Sequence, residues 1–278
     1  MFLDTLMEKR KLSDLSLLEI VLLPFNALAA LLDLIFCIPY IGRALKWIWN
    51  SVLTLLHFIV GLFELVLWQI GFRPQKKFRI GFLILTDEDG EPLTTPEKVL
   101  VGVTKAQAIF AKAHIQIVPA FAPPKRLAEG ASQPPEALRW TRVCPPNGAR
   151  HLRLVGCNFD AIRQDFGLPG TYFQYYTISS FFDSGFRRLT GYGAPVTVFV
   201  VKDLSGFGGC SLGWLSDYVT VKHSSLRTTA HELGHACNLF HRHDRENLMH
   251  PDSGSLDDVR MTIWQIAVLR ASRHATLF

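Results

Sequence analysis

The residue types that can do chemistry are concentrated in one stretch, His231-Glu232-Leu233-Gly234-His235. On a helix of about 3.6 residues per turn, two histidines four positions apart project from the same face, so both imidazoles can bind one metal ion. Glu232 lies between them on a neighbouring face, where its carboxylate can reach a metal-bound water without being a ligand. The spacing therefore predicts a helix that carries two metal ligands and a general base.

A third ligand has to approach the metal from the other side, so the helix must end soon after His235. Asn238 suits that turn, because asparagine is second only to glycine in tolerating the left-handed backbone at a helix end. The turn makes His241 the third ligand, with His243 as the alternative. Three neutral imidazoles with one open position are typical of catalytic zinc, which lowers the pKa of its bound water to about 7. Two further histidines are interpreted as surface or supporting groups, His223 and His250.

This stretch resembles the active-site pattern of the metzincin clan of zinc peptidases, H-E-x-x-H-x-x-G-x-x-H followed by a turn that carries a methionine. The matching positions are His231, Glu232, His235, His241 and Met249. Asn238 stands where the clan has glycine, a substitution that the backbone argument permits. Arg242 after the third histidine, and the lack of a tyrosine after the methionine turn, leave the subfamily open.

The resemblance implies a zinc endopeptidase with one Zn²⁺ per chain, Glu232 as general base, Met249 packed beneath the metal, and a protein or peptide substrate. It implies an α+β fold whose N-terminal half is α/β-like, with a mixed twisted sheet, an active-site helix and a closing helix. In the clan, a strand before the active-site helix forms the upper rim of the cleft and pairs with an extended substrate. The candidate rim, for which a plain hairpin turn is the alternative, is Gly209, Cys210, Ser211, Leu212, Gly213 and Trp214.

Two other functions compete with the endopeptidase. One is a non-catalytic membrane interaction protein that keeps zinc for structure, although such a site does not require Glu232. The other is a zinc amidase that acts on a substrate other than a peptide. Nucleic-acid binding finds little support, because the net charge of +5 is modest and the basic residues at 73–79 are better explained by a membrane surface.

The hydrophobic fraction of 49% and the mean hydropathy of +0.19 are high, and the long apolar runs lie in residues 1–72. Leu15 to Pro39 and Trp47 to Phe72 are each long enough to cross a hydrocarbon core of about 30 Å. We therefore predict three parts: a helical membrane hairpin at 1–72, a basic linker at 73–77, and the metzincin-like domain at 78–278. Lipid contact is assigned to residues 15–72.

Polar residues recur every seven positions in both apolar segments: Glu19, Asn26 and Asp33, then Asn50, His57 and Glu64. If the helices fold back at 41–42, antiparallel pairing sets Asp33 opposite Asn50, Asn26 opposite His57 and Glu19 opposite Glu64. We therefore predict a polar seam between two membrane-spanning helices. The first alternative is a hairpin that lies in the plane of one leaflet, with its polar stripe facing water. The others are a seam between copies in an oligomer and a buried hairpin in a soluble protein. Basic residues flank the outer ends of the hairpin, which favours a cytoplasmic catalytic domain.

Five cysteines form no C-x-x-C pair, and Cys144 with Cys157 is the one pair considered as a disulfide, with reduced thiols as the alternative. The remaining pattern predicts strands and helices in the order expected for the domain. The strands are predicted at 78–86, 114–118, 151–157, 195–201 and 218–221, and the helices at 95–114, 159–166 and 256–273. Ser255 and Asp258 resemble a capping box that opens the last helix.

Overall fold

The computed structural model describes residues 17–121, 136–144, 157, 159–181, 184–252 and 258–278. Four sequence predictions lie outside the described residues and stay predictions. They are the strand at 151–157 apart from Cys157, the basic cluster at 9–11, the side chain of Glu19 and the capping role of Ser255.

A mixed sheet of seven strands forms the centre of the described structure. The strands are β1 (Lys76–Ile84), β2 (Ile115–Pro119), β3 (Thr141–Val143), β4 (Val196–Val201), β5 (Gly209–Ser211), β6 (Tyr218–Lys222) and β7 (Ala275–Thr276). Their main order is β2-β1-β4-β6-β5, in which β5 alone is antiparallel to its neighbour, while β3 and β7 pair with β1. The predicted mixed sheet is confirmed, and β5 lies at its edge.

Nine α-helices accompany the sheet in the described part of the chain. They are α1 (Leu17–Phe36), α2 (Ile41–Gln69), α3 (Pro96–Ala111), α4 (Glu136–Trp140), α5 (Phe159–Phe166), α6 (Leu168–Ser180), α7 (Gly185–Thr190), α8 (Thr229–Ala236) and α9 (Ile263–Ala271). Helix α3 begins at Pro96 as predicted, because the missing N–H of proline costs no hydrogen bond in a first turn. Two short 3₁₀ turns, at Gly213–Leu215 and Leu226–Thr228, lie on either side of β6.

The central strand β4 explains how the domain is layered. All six of its residues are buried, as predicted for 195–201. Alternate side chains of a strand point to opposite faces, so Val198 packs in one apolar cluster and Phe199 in another. The first cluster includes Val103 of α3 and Leu233 of α8, and the second includes Phe173 of α6. The sheet is therefore covered by helices on both faces.

The closing helix begins later than the sequence indicated. Residues 258–262 are not helical, and α9 starts after Thr262. The Thr262 hydroxyl accepts a hydrogen bond from the Gln265 backbone N–H at 3.2 Å, and the Gln265 side chain accepts one from the Thr262 N–H at 2.9 Å. This reciprocal pair is the capping box that fixes the start of α9.

The N-terminal hairpin is formed by α1 and α2, which contact each other and are joined at 37–40. Helix α2 is long and apolar enough to cross a membrane, whereas the apolar part of α1, Ile20–Phe36, is shorter. Strand β1 begins at Lys76, inside the predicted linker, so little chain separates the hairpin from the sheet.

The polar residues of the hairpin bond to the rest of the protein. Asp33 forms an ion pair with Arg188 of α7 at 2.9 Å and accepts a hydrogen bond from Gln174 of α6 at 3.0 Å. Its predicted partner Asn50 instead donates to the Leu215 carbonyl at 3.0 Å. The predicted seam between α1 and α2 is therefore wrong at this pair.

The same correction applies further along the hairpin. The Asn26 side-chain oxygen accepts from the Phe186 N–H at 3.1 Å, and His57 Nε2 lies 3.1 Å from the Thr190 carbonyl. Glu64 forms ion pairs with Arg270 at 3.0 Å and with Lys76. A buried charge is costly unless it is paired. These counter-charges lie outside the hairpin. The seven-residue repeat of polar residues within the hairpin therefore could not predict them.

Two buried cations of α2 strengthen this attachment. Arg43 pairs with Asp165 at 2.7 Å, and Lys46 pairs with Asp217 at 2.8 Å, with all four side chains at most 3% exposed. The opposite face of the hairpin is apolar. Of the 36 exposed large apolar side chains in the described residues, 24 lie between Leu17 and Phe72, so this is the dominant apolar surface.

The cysteine pairing differs from the pair considered in the sequence. Cys157 forms a disulfide with Cys210 of β5, with Cα atoms 5.5 Å apart, while Cys144 is buried and free. The pairing depends on the position of β5 at the sheet edge, 53 residues away in sequence. Structural disulfides persist in oxidising compartments, so this bond favours a domain outside the cytoplasm. The basic flanks of the hairpin favour the cytoplasmic side, and the two indications therefore disagree.

Candidate metal centre

Helix α8 brings the first two predicted ligands together. His231 and His235 lie on one face, and their Nε2 atoms are 3.1 Å apart. His241 Nε2 lies 3.1 Å from that of His235 and 3.3 Å from that of His231. The three predicted ligands therefore form a group that is close enough to hold one metal ion.

The end of α8 turns the chain back towards its own histidines. Asn238 has φ of 69°, in the left-handed region, as predicted. Its N–H donates to the His235 carbonyl at 2.8 Å, and the Leu239 N–H donates to the Gly234 carbonyl at 3.0 Å. These two bonds form a Schellman motif, which stops the helix and reverses the chain direction. His241 reaches the other two imidazoles because of this reversal.

Backbone carbonyls fix the orientation of two imidazoles. His231 Nδ1 lies 2.8 Å from the Leu248 carbonyl oxygen, and His235 Nδ1 lies 2.8 Å from that of Leu239. A carbonyl oxygen only accepts, so each Nδ1 carries the hydrogen and each Nε2 presents its lone pair. This arrangement is typical of metal-ligating histidines.

The surroundings also keep the imidazoles neutral. Burial, with the neighbouring His231 and His241, lowers the pKa of His235 to about 4. Burial likewise lowers the pKa of His231 from its usual value. Metal ions bind the neutral form of histidine, so these two ligands need not lose a proton near neutral pH.

The spacing of the nitrogens fits zinc. Zinc binds imidazole nitrogens at about 2.0–2.1 Å in a tetrahedral arrangement, which sets two ligand nitrogens about 3.3 Å apart. The observed separations are 3.1 to 3.3 Å. Imidazole also suits copper, iron and nickel, so the geometry shows a site for a metal ion, and zinc is the ion that we propose for it.

The predicted general base lies beside the histidines in sequence and against β5 in space. Glu232 is 5% exposed, and burial raises the pKa of its carboxyl group to about 8. A Cβ atom on Gly209 would lie 2.5 Å from Glu232 Oε1. Glycine at position 209 therefore makes room for the carboxylate.

Met249 lies on a turn that is held on both sides. Its N–H donates to the Asn247 side-chain oxygen at 3.0 Å, and its carbonyl accepts from the Arg242 N–H at 2.9 Å. Its side chain is fully buried, and a Cβ on Gly234 of α8 would lie 2.6 Å from the Met249 sulfur. Met249 thus packs directly against the helix that carries His231 and His235.

No protein-family model and no curated protein matches the chain. The interpretation of the centre therefore depends on its own residues. In the described structure, the group holds three histidines and no fourth ligand. Structural zinc sites are almost always closed by four protein ligands, whereas catalytic sites keep one position open.

The predicted rim is split between a strand and a turn. Gly209, Cys210 and Ser211 form β5, and Leu212 leads into the 3₁₀ turn that contains Gly213 and Trp214. Gly213 has φ of 61°, which favours glycine. Cys210 is buried and its sulfur is bonded to Cys157. The alternative prediction of a hairpin turn is borne out in part, because β5 pairs antiparallel with β6 and residues 212–217 connect the two strands. The role of this segment as the rim of a substrate cleft stays a prediction.

The other predicted histidines do not belong to the group. His243 is exposed and does not belong to it, so His241 is the better third ligand. His223 contacts the Lys202 carbonyl at 3.2 Å, and His250 accepts a hydrogen bond from the Asp252 N–H at 3.2 Å.

Sequence reasoning missed a pocket beside the metal centre. The α2 pocket, as we call it, has a volume of about 580 Å³ and lies between α2, the loop that carries His241, and α9. Its lining residues are Ser51, Thr54, Leu55, Phe58, Trp214, Asn238, Leu239, Phe240, His241, Arg242, Trp264, Gln265 and Val268. Ser51 and Thr54 are polar residues in an apolar helix, and this was the sequence feature that could have indicated the pocket. The other walls of the pocket come from residues about 160 to 215 positions further along the chain.

Proposed function

We propose that the protein is a membrane-attached zinc endopeptidase of the metzincin type. The observation that carries the proposal is the convergence of three imidazole Nε2 atoms at 3.1 to 3.3 Å, with an open fourth position. A zinc ion held by His231, His235 and His241 would lower the pKa of its bound water to about 7 and polarise the scissile carbonyl.

In this proposal Glu232 moves the proton. Burial disfavours the ionised form of Glu232, whereas the positive charge of a bound zinc ion would favour it. The ionised carboxylate would accept a proton from the attacking water and donate it to the leaving amine. The carboxylate packs against Gly209 of β5. This contact would fix the distance between the base and the strand that would bind substrate. Met249 and Asn238 position the helix and its reversal rather than the reacting atoms.

The edge strand β5 offers backbone groups to an extended peptide. The Lys222 N–H donates to the Gly208 carbonyl at 2.9 Å, so the hydrogen-bonded pairs of this antiparallel ladder include Cys210. Hydrogen-bonded and non-hydrogen-bonded pairs alternate, which turns the backbone groups of Gly209 and Ser211 away from β6. A substrate strand can add to that edge.

The apolar face of the hairpin supports membrane attachment. Exposed side chains such as Val52, Ile59 and Phe63 cover α2 on the side that faces away from the domain. Each buried CH₂ group contributes about 0.8 kcal/mol to transfer out of water, so a surface of this size favours a bilayer strongly. We propose a lipid leaflet as its partner. A second copy of the chain is the alternative.

Metal analysis and one substitution test the proposal. Purified protein in detergent should carry one zinc per chain and cleave members of a peptide library. Glu232→Gln should retain the zinc and lose about 10²- to 10⁴-fold in cleavage rate, because only the proton transfer is removed. His241→Ala should lose both the metal and the cleavage. Cleavage that survives Glu232→Gln contradicts the mechanism, and cleavage confined to non-peptide amides identifies an amidase instead.

A further inference from the structure

A pair of buried side-chain amides connects the methionine turn to the closing helix. Asn247 is 2% exposed, and Gln265, in the first turn of α9, is 3% exposed. Asn247 Nδ2 donates to Gln265 Oε1 at 2.9 Å, and Gln265 Nε2 donates to Asn247 Oδ1 at 2.9 Å. The two amides therefore form a closed pair, in which each side chain is both donor and acceptor.

Backbone N–H groups fix which way each amide faces. Asn247 Oδ1 also accepts from the Met249 N–H at 3.0 Å, and Gln265 Oε1 also accepts from the Thr262 N–H at 2.9 Å. A backbone N–H can only donate, so an oxygen must face it in each case. Turning either amide over would set two donors against each other at a buried site, which is costly. The pair thus has one favoured arrangement.

This amide pair is linked to the first proposed metal ligand through a single peptide unit. The Leu248 C=O and the Met249 N–H belong to the same planar trans peptide, so they point in opposite directions. Asn247 Oδ1 holds the N–H side, and the oxygen on the C=O side lies 2.8 Å from His231 Nδ1. Rotation of this peptide would break both contacts together. The orientation of the His231 imidazole therefore depends on what holds the other side of the peptide.

The hold on the turn comes from a helix that is itself anchored. The bond from the Met249 N–H to Asn247 is local, because it joins residues two positions apart. Gln265, by contrast, lies 18 residues from Asn247 and belongs to α9. This helix packs along α2 and is tied to it by the ion pair between Arg270 and Glu64 at 3.0 Å. Gln265 thus connects the methionine turn to the packed body of the domain.

We propose that Gln265 is a positioning residue for the metal centre. Through Asn247 it holds the Leu248–Met249 peptide, so that the Leu248 carbonyl keeps His231 Nε2 directed at the metal. The inference rests on the proposed binding of zinc by the three histidines, but not on the cleavage of peptides. Substituting a group that orients a metal-ligating histidine typically costs about 10- to 100-fold in metal affinity.

His235 offers an internal comparison. Its Nδ1 lies 2.8 Å from the Leu239 carbonyl oxygen. This acceptor belongs to the reversal after α8 and not to the methionine turn. Loss of the Gln265 amide should therefore affect His231 and spare His235, whereas a general loosening of the centre would affect both.

Gln265→Met tests the proposal in the full-length protein in detergent. Methionine has a similar length but no amide, so Asn247 loses both of its bonds to this side chain. With isotope-labelled histidine, nuclear magnetic resonance of metal-free protein should show about tenfold faster solvent exchange of the His231 Nδ1–H. The His235 Nδ1–H should exchange as before. The zinc Kd, measured by competition with a fluorescent chelator, should rise about 10- to 100-fold.

Thr262→Val is the matched control, because it weakens the start of the same helix. The Thr262 hydroxyl accepts from the Gln265 backbone N–H at 3.2 Å, and the amide pair does not include it. The substitution should lower the melting temperature, since an N-cap hydroxyl stabilises a helix. It should leave the His231 exchange rate and the zinc Kd unchanged.

Asn247→Ser tests the same link from the side of the turn and replaces Gln265→Met if that variant does not fold. Serine keeps a local acceptor for the Met249 N–H but is too short to reach Gln265. It should reproduce the faster exchange at His231 and the weaker zinc binding.

The proposal is supported by a loss that is selective for His231. It is overturned if exchange at His231 is unchanged in these variants, if His231 and His235 lose protection equally, or if Thr262→Val has the same effect. Failure of the proposed metal centre looks different, because the unsubstituted protein would then bind no zinc. The exchange rates of metal-free protein would still decide the role of Gln265.

Discussion

At the scale of single residues, Gly209 shows how closely the proposed base and the substrate strand are fitted. A Cβ at this position would lie 2.5 Å from Glu232 Oε1, so Gly209→Ala must displace the carboxylate. We expect at least about a tenfold loss of kcat/KM with unchanged zinc content, because misplacing a catalytic group by about 1 Å can cost 10²-fold.

The control for this substitution is Gly167→Ala. A Cβ there meets nothing closer than 3.6 Å, and the backbone conformation is ordinary. It should retain full activity. Peptide cleavage assays and metal analysis of both variants decide the matter, and full activity of Gly209→Ala would remove Glu232 from its proposed role.

A second prediction at this scale concerns His274, which lies in the core away from the metal centre. Burial, with the nearby Arg273, lowers its pKa to about 3. Between this value and the unfolded value of about 6.5, only the unfolded chain binds the proton. The free energy of unfolding therefore falls as pH decreases through this window.

We expect the His274 contribution to fall by about 2 kcal/mol between about pH 7 and about pH 5. His274→Gln removes the titration but keeps a donor for the Ala194 carbonyl, which His274 Nδ1 contacts at 2.7 Å. Thermal unfolding of metal-free protein should depend less on pH in this variant. His223→Gln, on the surface, should retain the unsubstituted pH dependence, and identical profiles for all three proteins would reject the assignment.

At the scale of elements, the segment that brings the three histidines together was predictable because its information is local. Two ligands, the base and the helix end lie within eight residues, and helix geometry together with the backbone preference of Asn238 relates them. The strands β1, β2, β4 and β6 were predictable from their apolar runs. The disulfide partner of Cys157, the pocket wall on α2 and the partners of Asp33 were not. Each joins elements that only the packed fold brings together.

The reversal after α8 gives a prediction for this element. Asn238→Gly and Asn238→Ala both remove the side-chain amide, but alanine keeps a Cβ on a backbone with φ of 69°, whereas glycine has none. The left-handed conformation costs about 1–2 kcal/mol for residues with a Cβ, so Asn238→Ala should be less stable than Asn238→Gly by about 1 kcal/mol.

Zinc affinity should follow the same order, because the turn carries His241. Thermal unfolding and competition with a zinc chelator measure both effects. The glycine variant serves as the matched control, since it differs by one methyl group. If the two variants are equal in stability and zinc affinity, the turn does not hold the third ligand in place.

At the scale of the whole molecule, the attachment of α2 to the domain constrains how the protein meets a bilayer. Contacts follow the helix from its start to its end: Trp47 Nε1 donates to Asp165 at 2.7 Å, His57 lies near the Thr190 carbonyl, and Glu64 pairs with Arg270. A helix of 29 residues is about 44 Å long. The domain contacts the helix along most of this length. It cannot enter a hydrocarbon core together with the helix, because its loops and sheet edges would lose their hydrogen bonds to water.

We therefore expect α2 to lie in the plane of one leaflet, with its polar face on the domain and its apolar face in lipid. Ile48, Ile59 and Ile70 are exposed and lie eleven residues apart along this face. A spin label introduced at each position in turn, through an unnatural amino acid, should report the same depth in nanodiscs, whereas a spanning helix would separate the outer two by about 33 Å. A label at Val101, exposed on α3, should report water. A steady gradient of depth from Ile48 to Ile70 would show that α2 spans the bilayer. The contacts between α2 and the domain would then have to be broken in the membrane.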